Sequence, residues 1–188
     1  MRFLDRVLQR WRIARASRWL ADGAAVLDVG CADGALFRHL GPRLGPGIGV
    51  EPTLPAPRAV GRSELRPGLV PDAVPAGRTF DAVTLLAVLE HIPPAAQTAL
   101  AGACARVVRP GGLAVVTVPA PAVDAVLAVL QRLRLVDGMS LDEHFGFEPA
   151  DVPHVFAAPE WALVRHERFQ LGLNNLFVFR RQGARAAA

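Results

Sequence analysis

The chain has 188 residues, 52% of them hydrophobic and 20% charged, which is enough apolar content to bury one core, too little charge for a disordered chain, and too short for a second full domain. The net charge of +4 is too small to point to nucleic acid by itself, although lysine is absent and the arginines gather in residues 2–18 and 165–185. Two distant cysteines, Cys31 and Cys104, and apolar runs no longer than residues 82–89 and 113–118 argue against a disulfide scaffold and a membrane-spanning helix, so the expected setting is cytoplasmic.

In chain order, Phe3, Leu4, Val7, Leu8, Trp11 and Ala14 fall at helical spacing within residues 1–20, with Arg2, Arg6, Arg10 and Arg12 mostly on other faces. This is a basic amphipathic helix, expected to pack on its own domain, with a lid or peripheral membrane contact as alternatives. Residues 25–29 read as a strand, followed by a glycine-rich turn and a helix over 35–40. Residues 48–50 read as a second strand stopped by Pro52, and Pro55 and Pro57 make a long helix unfavourable, so residues 52–78 are expected to be loop-rich.

Residues 80–86 read as a buried strand and 95–108 as a helix opened by Pro93 and Pro94 and closed by Pro110-Gly111-Gly112. Residues 113–118 form the next strand, 123–135 a helical pattern, 138–147 a loop and 149–156 a short helix. Residues 161–170 and 176–181 then form a hairpin at one edge, and 184–188 a disordered tail. Continuous apolar strands alternating with helices predict an α/β domain with a doubly wound, mostly parallel sheet covered on both faces, in a single unit spanning 1–188.

Chemistry concentrates in Asp28-Val29-Gly30-Cys31-Ala32-Asp33-Gly34. An acidic residue precedes a strand-to-helix turn whose small residues let a ligand approach the backbone. Ala32 stands where a dinucleotide fingerprint needs its second glycine, which disfavours a nicotinamide cofactor. Glu51 ends the second strand about twenty residues after the turn. Its carboxylate is therefore expected at the same sheet edge, where it can accept hydrogen bonds from both hydroxyls of a ribose.

Residues 26–34, Val-Leu-Asp-Val-Gly-Cys-Ala-Asp-Gly, closely resemble the cofactor motif of class I S-adenosylmethionine-dependent methyltransferases. Gly49-Val50-Glu51-Pro52 resembles the family's ribose-binding block. Phe80-Asp81-Ala82-Val83 through Val88-Leu89-Glu90-His91-Ile92 resembles its fourth strand and turn, and Arg106 to Gly112 the turn before its fifth strand. The blocks are in order over residues 24–120. The resemblance implies a Rossmann-like seven-stranded sheet with an antiparallel edge strand, S-adenosylmethionine as donor and S-adenosylhomocysteine as product. By the same resemblance Asp28 holds the methionine end or the turn, Gly30, Cys31 and Gly34 line the turn, Glu51 and Pro52 meet the ribose, the backbone around Leu86, from Leu85 to Ala87, lines the methionine side, and His91 belongs to the cofactor pocket.

Two departures stand out. The middle glycine of the turn is Ala32, and Leu69 stands where the family usually carries an adenine-contacting acid, which leaves Asp72 as its substitute. Methyl transfer to oxygen needs a proton acceptor, and a histidine suits that role. Of the five histidines, His144 in the loop after residue 135 is the candidate base, His91 a pocket wall, His39 and His166 surface residues, and His154 a weaker candidate. No Cys/His cluster has metal-ligand spacing, so no metal is expected. The turn Leu89-Glu90-His91-Ile92-Pro93 lacks the pattern of base-modifying methyltransferases, which argues against a nucleic-acid substrate. A small-molecule acceptor is expected, methylated at oxygen, with carbon and nitrogen left open. The alternative is a methyltransferase-like scaffold that binds without turnover and is held at a membrane or complex by its basic helix.

Overall fold

A computed structural model describes residues 3–120 and 148–183, with side chains from residue 6 onward. The helix at 123–135, the loop at 138–147, His144 and the tail at 184–188 lie outside the described residues. Helix α1 spans Phe3–Ala16, α2 Ala35–Leu40, α3 Pro94–Val107 and the short α4 Val152–Val155. The strands are β1 Val26–Val29, β2 Ile48–Val50, β3 Arg58–Val60, β4 Ser63–Arg66, β5 Phe80–Leu86, β6 Val108–Pro119, β7 Trp161–Phe169 and β8 Asn174–Arg181.

These eight strands form one sheet in the order β3-β4-β2-β1-β5-β6-β8-β7. Strands β4, β2, β1, β5 and β6 are parallel neighbours, whereas β3 pairs antiparallel with β4 and β8 antiparallel with both β6 and β7. From β1 the chain passes to β2 on one side and later to β5 on the other, so the winding reverses at β1. Ligands of open α/β sheets bind outside the carboxyl ends of the strands at such a reversal.

The continuous apolar strands are explained by burial on both faces. Leu27, Val83, Leu85, Val116 and Phe179 pack toward Ala101 and Cys104 of α3, Val152 and Phe156. Val26, Ala82, Val115 and Val178 pack on the opposite face with Ile13 and Ala16 of α1 and Leu36 and Phe37 of α2. Helix α3 approaches the sheet closely because its inward residues are as small as Ala101 and Ala105, and the Trp161 indole N–H donates to the Ala101 carbonyl oxygen at 3.1 Å. Both cysteines are free and buried.

Among the described residues the sheet has eight strands, one more than the seven the resemblance implies and two more than the six read along the chain. The stretch expected to be loop-rich folds back as the hairpin β3–β4, turning at Gly61 with φ +59. Proline prevents a helix there without preventing extended backbone, and a two-residue turn with glycine in the left-handed region matches the twist of paired strands. Strand β6 also begins at Val108, earlier than the expected residue 113, because the Pro110-Gly111-Gly112 turn is absorbed into it.

Helix α1 does pack on its own domain, but not through the face expected. Ile13 and Ala16 are buried, followed by Leu20, whereas Val7 and Trp11 remain 39% and 44% exposed. The inward face also carries Arg12 and Arg15, and the Arg15 guanidinium donates to Glu167 of β7 at 2.9 Å. Periodicity found the helix and could not say which side the sheet would take.

Candidate functional site

The turn after β1 and the tip of β2 meet at the carboxyl edge. The backbone N–H groups of Gly30 and Cys31 both donate to the Val50 carbonyl oxygen, at 2.8 and 3.2 Å, locking the turn onto β2. Ala32 N–H donates to Glu51 Oε2 at 3.3 Å, and Glu51 Oε1 accepts from the Thr53 N–H at 3.1 Å and the Thr53 hydroxyl at 2.7 Å. Glu51 is half-buried, while Ala32 and Asp33 are exposed, so this corner opens to solvent.

The donors of the turn are already engaged within the chain. Gly34 N–H bonds to the Cys31 carbonyl oxygen and Ala35 N–H to Asp33 Oδ1. Asp33 is itself held by the Arg38 guanidinium, and its carbonyl oxygen accepts from Arg58 of β3 at 2.8 Å. A pyrophosphate would need several of these N–H groups. A ligand rich in hydroxyls and carrying positive charge would instead use the remaining lone pairs of Glu51.

Three carboxyl groups set the electrostatics of this edge. Asp28 is 4% exposed and accepts from the Thr84 hydroxyl at 2.6 Å, a cross-strand partner at the same level of β5. Burial pushes its carboxyl up to about 7, with the Thr84 bond opposing. Glu90, in the turn after β5, is 3% exposed, and burial pushes it to about 7 against the pull of its own backbone N–H and Arg12. The Cys31 thiol is pushed to about 12 by burial and by the Asp28 and Glu51 charges, which leaves it protonated and inert as a nucleophile.

Two buried polar atoms, Glu90 Oε2 in the turn after β5 and Thr117 Oγ1 near the end of β6, make no hydrogen bond. Orphaned groups of this kind cost about 1–3 kcal/mol each unless a ligand or water meets them. Beside them Ala87 adopts φ 61, and across the edge Ala32 adopts φ 45. Left-handed alanines store strain, and such strain collects at functional sites. Donor set, orphaned oxygens and open corner together fit a nucleoside sulfonium such as S-adenosylmethionine.

Glycines 30 and 34 serve the chain itself as much as any ligand. Both lie in the left-handed region, at φ +69 and +82. A Cβ on Gly30 would lie 2.5 Å from Val88 Cγ2, and one on Gly34 2.8 Å from Leu65 Cδ1. Leu86 and His91 are half-buried at the end of β5 and in the turn that follows, and Pro52 is exposed beside Glu51. Asp72 is exposed in the turn after β4, which the Arg66 guanidinium ties down through the Ala73 carbonyl oxygen at 3.2 Å.

The remaining histidines lie away from this edge or on the surface. His39 and His154 are exposed, while His166 stacks on Phe177 at 4.1 Å between ring centroids and meets Asn175 Oδ1 at 3.0 Å. The sequence reading missed Thr84, Thr117 and the burial of Glu90. The threonines sit in apolar strands where nothing marks them, and Glu90 was visible only as a neighbour of His91. A separate cleft of about 140 Å³ at the opposite, amino edge is lined by Trp19, Asp81, Arg109 and Arg180. It holds none of the residues expected to bind the cofactor.

The family model described as a methyltransferase domain matches residues 2–170. A ubiquinone biosynthesis O-methyltransferase of Xanthomonas oryzae pv. oryzae (strain PXO99A) is 38% identical over 100 residues, covering 48% of this chain and 41% of that protein. One from Psychrobacter cryohalolentis is 30% identical over 156 residues, covering 74% of this chain and 60% of that protein. The chain thus spans less than two thirds of the length of these curated relatives. Among solved structures, the Burkholderia thailandensis 1,6-didemethyltoxoflavin-N1-methyltransferase, with that substrate and S-adenosylhomocysteine bound, superposes with a TM-score of 0.68 at 18% identity, covering 92% of this chain and 79% of the other. The N-methyltransferase NodS from Bradyrhizobium japonicum WM9 superposes with a TM-score of 0.61 at 17% identity, covering 93% and 97%.

Proposed function

This chain belongs to the class I S-adenosylmethionine-dependent methyltransferase family, and on that premise we propose that it transfers a methyl group from S-adenosylmethionine to the oxygen of a small-molecule acceptor. The observation that carries this reading is the convergence of Glu51 with the turn at Ala32, on the edge where the sheet reverses. The curated relatives are O-methyltransferases by name, which favours oxygen over nitrogen or carbon.

S-adenosylmethionine, when bound, supplies a methyl carbon activated by positive sulfur, so the chain's task is to hold two molecules in line and accept one proton. Glu51 would hold the ribose hydroxyls through its remaining lone pairs, beside Pro52. The turn at Gly30, Cys31 and Gly34, with Asp28 beneath it, would take the methionine end. Asp72 in the turn after β4 would meet the adenine end. Leu86 and His91 would border the transfer edge.

For a hydroxyl acceptor, Glu90 is a described group suited to hold or take the released proton, because burial pushes its carboxyl up to about 7 and one oxygen is unpartnered. His144, proposed from the sequence for the same task, lies outside the described residues. Calorimetric titration with S-adenosylmethionine is expected to show micromolar binding that is lost in Glu51→Ala. Phenolic, sugar and lipid-linked acceptors are then compared for S-adenosylhomocysteine release. Absence of cofactor binding by the folded parent chain overturns the reading.

A further inference from the structure

We propose that the outward face of α1 docks this protein on an anionic lipid surface. The helix divides its arginines by direction. Inward, Arg15 is paired with Glu167 and Arg12 lies within the field of Glu90, so acidic groups of the domain answer them. Outward, Arg10 of the helix and Arg18 in the turn Ser17–Trp19 that follows it are exposed, Arg6 is exposed at the helix's N-terminal end, and no acidic residue occurs between Arg6 and Leu20.

Between the outward arginines runs an apolar stripe. Val7 and Trp11 are 39% and 44% exposed one turn apart, with Ala14 exposed on the next turn. Placing them on the water side wastes apolar surface that the sheet would have taken had the helix rolled over. At the same end of the molecule, Gln170 donates to the Leu8 carbonyl oxygen at 2.9 Å, and the next residue, Leu171, is 94% exposed with φ 58. A leucine held outside at a strained turn tip is a second apolar group beside the same helix.

An exposed tryptophan and aliphatic side chains flanked by arginines match the interface of a bilayer, where the ring and aliphatic groups enter the acyl boundary and the guanidinium groups meet lipid phosphate. A second copy of the chain suits the face poorly, because two-fold pairing would bring Arg6, Arg10 and Arg18 against their own equivalents. The Leu8 carbonyl and Arg12 also tie this helix to the carboxyl edge of the sheet, so seating by α1 sets that edge beside the lipid. The inference rests on the placement of α1 and is independent of the methyl-transfer reading.

The test is co-sedimentation of the whole chain with vesicles of phosphatidylcholine alone and of phosphatidylcholine mixed equally with phosphatidylglycerol. Binding to the mixed vesicles only, weakening as salt rises, is expected. Arg10→Gln with Arg18→Gln should weaken it about 30-fold, at roughly one fivefold factor per basic residue near the surface. Trp11→Ser should weaken it without changing its salt dependence, and Trp11→Phe should retain binding while removing the blue shift of fluorescence. These residues are exposed, so circular dichroism is expected to report an unchanged fold. No sedimentation with anionic vesicles, or equal sedimentation of the arginine variant, overturns the proposal. So does a parent dimer that Trp11→Ser converts to a monomer, which would assign the face to a second copy.

Discussion

Glu51 Oε2 accepts the backbone N–H of Ala32 across 3.3 Å, joining the end of β2 to the turn that follows β1. Nineteen residues separate them in sequence, yet parallel pairing of β1 with β2 places both at one edge. The bond is long for N–H to oxygen, and Glu51 also serves Thr53. The carboxylate is thus oriented by the chain while keeping lone pairs for a diol.

Replacement of that carboxylate should act on binding before it acts on stability. Two hydrogen bonds from ribose hydroxyls to a charged group are worth roughly 1.5 to 3 kcal/mol each, so Glu51→Ala should weaken S-adenosylmethionine by about a hundredfold or more. Glu51→Gln, which accepts with one oxygen only, should fall between. Calorimetric titration measures both, and an unchanged affinity in Glu51→Ala would remove Glu51 from the site.

Gly30→Ala should destabilise the fold through Val88. The new Cβ would stand 2.5 Å from Val88 Cγ2 at a φ of +69, combining a clash with left-handed strain that costs about 1–3 kcal/mol. Adding Val88→Ala should recover the part caused by the clash and leave the backbone part. Chemical denaturation of the two single variants and the double variant reads this as non-additivity. Strict additivity would mean that the two residues do not meet.

Glu90 predicts a pH dependence with a definite sign. Its folded value of about 7 lies above the ordinary 4.5, so between those values the folded chain holds a proton that the unfolded chain has released. Stability contributed by this group therefore falls as pH rises from 4.5 to about 7 and is flat above. Asp28, raised from 3.8 to about 7, acts in the same direction. Glu90→Gln should be more stable than the parent above neutrality by about 1–3 kcal/mol, less whatever Arg12 loses, and should show no advantage in acid. Melting temperature against pH checks this. If Glu90 also holds the acceptor's proton, methyl transfer should slow about a hundredfold while cofactor affinity stays unchanged.

Asp28→Asn separates two roles of the residue under the turn. Asparagine retains an acceptor for the Thr84 hydroxyl, now at 2.6 Å, while deleting a buried charge. If Asp28 only fixes the turn, the variant should melt no lower than the parent near neutrality and bind the cofactor normally. If the carboxylate faces the methionine end, affinity should drop tenfold or more, the scale of one lost charged hydrogen bond, about 1.5–3 kcal/mol. Calorimetry and thermal melting on the same preparation decide between them.

Where a signal is carried by adjacent residues, the sequence was sufficient. Apolar runs at 25–29, 80–86 and 113–118, punctuated by Gly and Pro, determined an α/β sheet covered on both faces, and the blocks around Asp28, Glu51 and His91 determined its family. Side-chain direction and long-range pairing are not local, and they were decided only in three dimensions. Packing buried Ile13 and Ala16 rather than Val7 and Trp11 as the inner face of α1, with Arg15 paired to Glu167 of β7. Pairing of β3 with β4, and of β4 with β2, turned a proline-marked stretch into two strands of the sheet. Burial raised Glu90 from an ordinary surface acid to a carboxyl near neutrality, because its charge, unlike its position in the chain, depends on the dielectric that distant residues create around it.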